Sequence, residues 1–177
     1  MTEYTIPLTT YLAVALTLTL AIYALLSWWK RYKRKWRIRH SYRRLDRLKT
    51  IPVFSHKIAY LRRTDPFVFE EMILSALKQQ GHKIKRNPRY TGDGGIDGQA
   101  WINGRHHYIQ AKRYKSHVSR QHIQSFEQLC KKKGSRGLFV HTGKTGGGTS
   151  QYSHNEIEIV SGQKLINLLE GGVSESN

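Results

Sequence analysis

The stretch GDGGIDGQAWINGRHHYIQAKRY, residues 92–114, holds five glycines, two aspartates and a Gln-x-Lys. At its centre Asn103-Gly104 separates two strand-like runs, a strong short-range signal for a two-residue hairpin. With that turn Ile102 faces Arg105, Trp101 faces His106 and Asp97 faces Gln110. Side chains alternate along a strand, so Asp97, Gln110 and Lys112 are expected on one sheet face. Cross-strand neighbours have Cβ atoms about 5 Å apart and diagonal ones about 7–8 Å apart. A one-residue slip in register would scatter the three.

Upstream, Asp65-Pro66 suits a helix start, with aspartate as N-cap and proline in the first turn. The helix is expected to reach about Gln80 and stop at Gly81. At helical spacing Phe69, Met72, Ile73, Ala76 and Leu77 share one side, and Glu71, Ser75, Lys78 and Gln79 the other. Glu70 falls among the apolar residues near Leu74 and Leu77, where a carboxylate needs a cation or a partner. Glu71 is expected on the wet side.

Downstream, Ser119 is expected to cap a helix through about Lys133, with Gly134 as its stop. Its apolar side is Ile123, Phe126, Leu129 and Cys130. GLFVHT reads as a buried strand, IEIV as another, and 162–169 as a closing helix. The order is helix, hairpin, helix, strand, strand, helix. That order predicts an α/β fold, a mixed central sheet flanked by helices.

These elements would bring Glu70, Asp97, Gln110 and Lys112 together. Mg²⁺ takes oxygen ligands and usually one or two carboxylates. Glu70 and Asp97 can supply those carboxylates and Gln110 an amide oxygen, with Mn²⁺ as a substitute ion. Lys112 is placed to orient or deprotonate an attacking water, or to stabilise charge developing on a phosphoryl group. An ordinary Asp–Lys ion pair on a hairpin is the alternative reading of the same spacing. Asp93 reads as a turn residue. Gly92, Gly94, Gly95 and Gly98 read as places where backbone approaches a phosphate or adopts positive φ.

Other motifs fail on spacing. GKTGGGTS (143–150) invites a phosphate-loop reading, but the glycine required five positions before Gly143 is Leu138; it is read instead as a mobile loop near nucleic acid. His106 and His107 are adjacent on a strand and point to opposite faces. His82, His117, His122, His141 and His154 show no zinc spacing. The single cysteine, Cys130, excludes an internal disulfide.

The chain has 177 residues, 30 Lys+Arg against 12 Asp+Glu, and a formal charge of +18. Such an excess points to a polyanionic partner. Residues 8–29 carry no charge, and 22 residues suffice to cross a hydrocarbon core of about 30 Å. Trp28 and Trp29 close that run, where indoles favour the membrane interface. Residues 30–49 follow with eleven Lys/Arg against Asp46 alone. A signal peptide carries its positive charge before the apolar run; here the order is reversed. The reading is an uncleaved single-pass anchor in the inner membrane, with everything after Lys30 in the cytoplasm. Residues 30–49 would also attract anionic lipid headgroups. Residues 50–177 keep 19 positive charges against 10 negative, so DNA remains the expected partner without the juxtamembrane run. Arg113, Lys115 and Arg120, with Gly94 and Gly95, are the candidate nucleic-acid contacts. Lys131, Lys132, Lys133, Tyr108 and Tyr114 extend the basic and aromatic surface.

FEEMILSALKQQGHKI, GDGGIDG, IQAKRY, GLFVHTG and IEIVSGQKLINLL together resemble the Mrr-like catalytic domain of the restriction-endonuclease superfamily, whose core carries the PD-(D/E)xK motif. The resemblance covers roughly residues 65–170. Position by position it implies an active site of Glu70, Asp97, Gln110 and Lys112, and Mg²⁺-dependent hydrolysis of DNA phosphodiesters leaving 5′-phosphate and 3′-hydroxyl ends. Glutamine replaces the carboxylate of the wider superfamily. Relatives carry a DNA-reading winged-helix domain where this chain has its apolar and basic segments. The expected organisation is an N-terminus with transmembrane helix (1–29), a basic segment and connector (30–64), the nuclease domain (65–170) and a disordered tail (171–177). The function expected is a membrane-anchored DNA endonuclease acting on foreign DNA, with a homodimer serving two-strand cleavage. The alternative is an inactive DNA-binding module tethering DNA to the membrane.

Overall fold

The computed structural model describes residues 7–87, 95–144 and 156–171. In chain order the elements are α1 (Leu8–Lys49), α2 (Phe54–Arg63), α3 (Pro66–Gln79), β1 (Lys83–Arg86), β2 (Gly98–Ile102), β3 (Arg105–Lys112), α4 (Arg120–Lys132), β4 (Arg136–His141), β5 (Ile157–Val160) and α5 (Gly162–Glu170). The hairpin forms in the expected register, with Gly98 facing Ile109 and Ile102 facing Arg105. Asn103 and Gly104 both have positive φ, 50° and 75°, as a type I′ turn demands.

The five strands lie in the order β1-β2-β3-β4-β5. β1, β2 and β3 pair antiparallel, while β3, β4 and β5 run parallel, so the sheet is mixed. The parallel step from β3 to β4 needs a crossover, and α4 makes it. Strand β1 is absent from the sequence reading. KIKR is too polar to signal a strand, and it forms as an edge strand because β2 offers it a partner.

One core cluster joins α3, α5, the sheet residues Ala100, Ile109, Ala111, Leu138 and Val140, and also Leu45, Leu48 and Leu61. A second joins α4 to Phe139, Ile157 and Ile159. Two glycines permit this close layering. A Cβ at Gly98 would meet Leu74 Cδ2 at 2.7 Å, and one at Gly137 would meet Phe126 and Cys130 at the same distance. Gly98 therefore serves helix packing; its φ is not positive.

Two compact units divide the chain, Met1–Trp36 and Arg37–Asn177. In the first, α1 holds a window of mean hydropathy 1.9, exposed throughout, long and apolar enough to cross a membrane. Trp28 stacks on Tyr32 with centroids 5.7 Å apart, and Lys33 lies over the Trp29 ring. In the second unit the last turns of α1 are part of the fold. Ser41, Leu45 and Leu48 are fully buried at helical spacing, and Ser41 Oγ hydrogen-bonds Ser75 Oγ at 2.9 Å. Within 30–64, read above as basic segment and connector, residues 54–63 form α2, which packs Leu61 into the same core.

This cover changes the reading of α3. Asp65 Oδ1 accepts from the Val68 N–H as expected of an N-cap. Glu71 and Ser75, however, are buried rather than on a wet side. Arg86 of β1 donates from Nε to Glu71 Oε2 at 2.6 Å and from Nη2 to Ser75 Oγ at 3.0 Å. Helical periodicity marked those positions polar. The two elements covering them, β1 and the end of α1, had no sequence signal as packing partners.

Leu45→Ala should lower the unfolding free energy of residues 37–177 by about 2–5 kcal/mol, the cost of emptying a core leucine site, read by urea denaturation. A helix that merely connects would leave the midpoint unchanged.

Candidate active site

Asp97 stands one residue before β2. Its backbone N–H donates to Ile109 O at 2.8 Å, and its Oδ2 accepts from the Ala111 N–H at 2.7 Å. The carboxylate is thereby tied to β3 between Gln110 and Lys112. Gln110 is buried, 7% exposed, and pairs with Phe139 of β4. Gly95 has φ +90°, which favours glycine, and a Cβ there would sit 2.1 Å from Gln110 Nε2, so the amide would have to move. Lys112 ends β3 beside His141, where β3 and β4 finish in parallel. Binding sites of open α/β sheets gather at such carboxyl ends.

Glu70 comes from α3, one turn before Leu74, the residue seated on Gly98. It is only partly exposed, and its pKa is raised to about 8. Burial is the main cause, the Asp97 charge adds to it, and Lys112 pulls the other way, with smaller effects from Glu71 (raising) and Arg37 (lowering). Asp97 is raised to about 6, chiefly by burial, against the Ala111 hydrogen bond and Lys112. The fold thus brings Glu70, Asp97 and Lys112 into one electrostatic neighbourhood, and the β2–β3 register sets Gln110 opposite Asp97. It separates the adjacent glutamates: Glu71 is committed to Arg86, Glu70 faces Asp97 and Lys112. Two carboxylates beside a buried amide make a set of hard oxygen donors. Among the described residues no group of three His, Cys, Asp or Glu side chains converges, so none forms a zinc-type cluster.

The candidate nucleic-acid contacts divide. Gly95 lies against Gln110. Gly94 and Asp93 fall outside the described residues, as do residues 145–150 of the glycine-rich loop and the tail 172–177. Lys115 and Arg120 are exposed. Arg113 is half-buried and donates from Nη1 to Arg62 O at 3.1 Å. Arg62 in turn holds Thr142 O through Nε and Nη2, at 3.0 and 2.8 Å. The pair braces the exits of β3 and β4, a role without a sequence signal because it joins positions 80 apart. His106 bonds Ser135 and Gln99, whereas His107 Nδ1 bonds Arg105 O, the opposite-face arrangement expected. Burial pushes the His141 imidazole down to about 4.

The raised pKa values give a signed pH dependence. A carboxyl group whose folded pKa lies above its ordinary value stabilises the fold while protonated, and that contribution disappears as pH rises through the folded pKa. In EDTA the melting temperature should therefore fall between about pH 6.5 and 8, where Glu70 still loses its proton and His141, lowered from 6.5, no longer opposes the fall. Glu70→Gln should flatten the profile and melt above wild type at pH 8. Glu71→Gln should melt below wild type throughout, because it leaves Arg86 buried beside a neutral partner.

Comparison with known proteins agrees with this architecture. A restriction endonuclease family model (the Mrr catalytic domain) matches residues 61–169. A type IV methyl-directed restriction enzyme, EcoKMrr of Escherichia coli K12, is 34% identical over 130 residues, 64% of this chain. The chain spans 42% of that relative's length. Among solved structures, Pyrococcus furiosus SfsA in complex with Ca²⁺ aligns over 53% of this chain and 54% of its own, at 19% identity and a TM-score of 0.33, too low to bear on fold or function. With the family match spanning most of the chain, this protein belongs to the restriction endonuclease family.

Proposed function

We propose that the protein is a membrane-anchored, Mg²⁺-dependent DNA endonuclease whose site is Glu70, Asp97, Gln110 and Lys112. The observation that carries this reading is the Asp97 carboxylate, tied to the Ala111 N–H between Gln110 and Lys112 and electrostatically coupled to Glu70. Burial makes ionisation of two neighbouring carboxyl groups costly, and a hard divalent cation is the partner that offsets this.

Glu70, Asp97 and Gln110 would hold the ion, with Mn²⁺ able to replace Mg²⁺. When bound, the ion supplies Lewis-acid polarisation of the phosphoryl group and neutralises charge developing there. The protein residues do the remaining work. The Ala111 N–H fixes the orientation of the Asp97 carboxylate. Arg86 holds Glu71 away, so that Glu70 alone of the pair serves the site. Gly95 leaves room for the Gln110 amide. Lys112 Nζ orients the water that attacks in line with the departing 3′-oxygen, leaving 5′-phosphate and 3′-hydroxyl ends. Preorganised groups of this kind lower the barrier without reorganising during the reaction.

The apolar window of α1 supports an inner-membrane anchor, and the basic run after it supports a cytoplasmic nuclease unit. Residence at the membrane suits a nuclease that meets foreign DNA as it enters. A homodimer would place two sites for cutting both strands.

Cleavage of supercoiled plasmid by the full-length protein in detergent, with Mg²⁺ or with EDTA, tests the reading. Nicking should require Mg²⁺ and fall at least about 100-fold in Asp97→Ala and in Lys112→Ala, the scale expected when a charge-stabilising group is removed. DNA binding without Mg²⁺-dependent cleavage would replace the nuclease with a tether that holds DNA at the membrane. Membrane fractionation tests the anchor: a protein found wholly in the soluble fraction would remove it.

A further inference from the structure

The hairpin has a second face. Ala100 and Ile109 point into the core that packs on α3, so Gln99, Trp101, His106 and Tyr108 point to the other side of the sheet. There Gln99 faces Tyr108 and Trp101 faces His106. Strand β1 adds Lys83 opposite Trp101 and Lys85 opposite Gln99. The His106 ring lies 5.0 Å from Trp101 and 4.8 Å from Tyr108, centroid to centroid. Its nitrogens bond Ser135 at 2.8 Å and Gln99 at 3.0 Å, which fastens the end of α4 to the hairpin. The outer two rings carry cations: Lys83 Nζ is 4.9 Å from the Trp101 centroid and Lys133 Nζ 5.7 Å from that of Tyr108. Lys83, Lys85 and Lys133 are exposed. Among the described residues none of the three forms an ion pair, whereas Lys57, Arg86 and Lys131 each do. From β1, β2 and the start of β3 this face receives no carboxylate.

We propose that this basic face binds the phosphate backbone of the DNA duplex leading away from the cleaved bond, with Lys83, Lys85 and Lys133 as its contacts. This inference rests on reading the Glu70–Lys112 site as DNA-cleaving. Charge complementarity selects a polyanion, because three lysines gather where no acid offsets them. Lysine meets phosphate as a point charge, a contact that carries no sequence information. The Trp101 and Tyr108 rings each already meet a lysine, so they position cations rather than serve as platforms for unstacked bases. Alternation sets His106, Tyr108, Gln110 and Lys112 on one face of β3, so the basic surface continues into the candidate site. At about 3.3 Å per residue, Lys112 stands about 13 Å from Tyr108 and about 20 Å from His106. A DNA strand advances about 3.4 Å per nucleotide, which puts the contacts about four to six nucleotides from the bond. Lipid headgroups need no such alignment with Lys112.

The test uses the full-length protein in nanodiscs of zwitterionic lipid, with a labelled DNA duplex in EDTA and affinity measured against salt. Lys83→Gln and Lys133→Gln should each weaken binding to duplexes of unrelated sequence by the same factor. Each should reduce the log–log salt slope by about one, and the double variant by about two, the signature of lost phosphate contacts. Lys83→Arg and Lys133→Arg should keep the wild-type slope. Lys164→Gln, an equal charge change on α5 at the opposite face of the sheet, should leave it unaltered. In Mg²⁺ the single-turnover cleavage rate at saturating protein should match wild type in both glutamine variants, with only the half-saturating concentration raised. Should a glutamine variant fail to fold, Lys85→Gln removes a charge without a ring contact and should show the same reduced slope. Unchanged slopes in the folded variants overturn the inference. A loss seen with single-stranded DNA alone, or only in nanodiscs containing anionic lipid, also overturns it and assigns the lysines to unpaired strands or to headgroups. Plasmid cleavage by Lys112→Ala, run in parallel, separates the two levels. If cleavage is lost in Lys112→Ala while the lysine slopes are unchanged, only the backbone contact fails. If cleavage persists in Lys112→Ala, the site reading fails, and the inference resting on it fails with it.

Discussion

The closeness of α3 to β2 is the constraint on which the rest depends. Leu74 lies against the bare backbone of Gly98, where a Cβ would come within 2.7 Å of Leu74 Cδ2 and the leucine or its layer would have to shift. Glu70 is one turn from Leu74 on α3, and Asp97 is one residue from Gly98 in the chain. One contact therefore sets how far the helix carboxylate stands from the hairpin carboxylate. Close-packed interiors transmit such shifts instead of absorbing them, so a small change in layer spacing would be felt at both carboxylates.

The electrostatic design is a contrast of scales. The whole chain carries +18, yet at one end of the sheet two half-buried acids lie near each other. The general excess suits a polyanionic partner at long range, and the local acids suit a small hard cation. Glu71 and Arg86 keep the two requirements apart. Their buried ion pair, extended to Ser75 and Ser41, ties β1 and α1 to α3 while removing one of the two adjacent carboxylates from the site. Breaking a buried pair of this kind leaves an uncompensated charge; here the pair engages Glu71 with Arg86.

The hairpin was legible because its information is local. Asn103-Gly104 dictates the turn and the turn dictates the register, so the facing of Asp97 and Gln110 follows by counting. The boundaries of α3 and α4 were legible for the same reason, through Asp65-Pro66 and Gly134, although Ser119 stands at the start of α4 without a side-chain cap bond. Choosing Glu70 over Glu71 from periodicity selected the residue that faces Asp97, but the premise was only half right. Glu71 is the more deeply buried of the two. A helix covered on every side has no wet face, and α3 is covered from Glu71 through Leu77.

The sequence by itself determined the strand pairing around Asn103-Gly104, the α/β order of elements, the apolar and basic runs at the N-terminus, and the donor types at positions 70, 97, 110 and 112. These rest on turn chemistry, side-chain periodicity and composition, which act over a few residues. Only the tertiary structure decided that KIKR becomes a strand, that the last turns of α1 pack into the unit of residues 37–177, that Glu71 belongs to Arg86, and that the Arg37 guanidinium lies over Phe67. Each of these depends on a partner distant in the chain. For such a pairing the geometry of the packed layers, rather than local preference, decides which side chains meet.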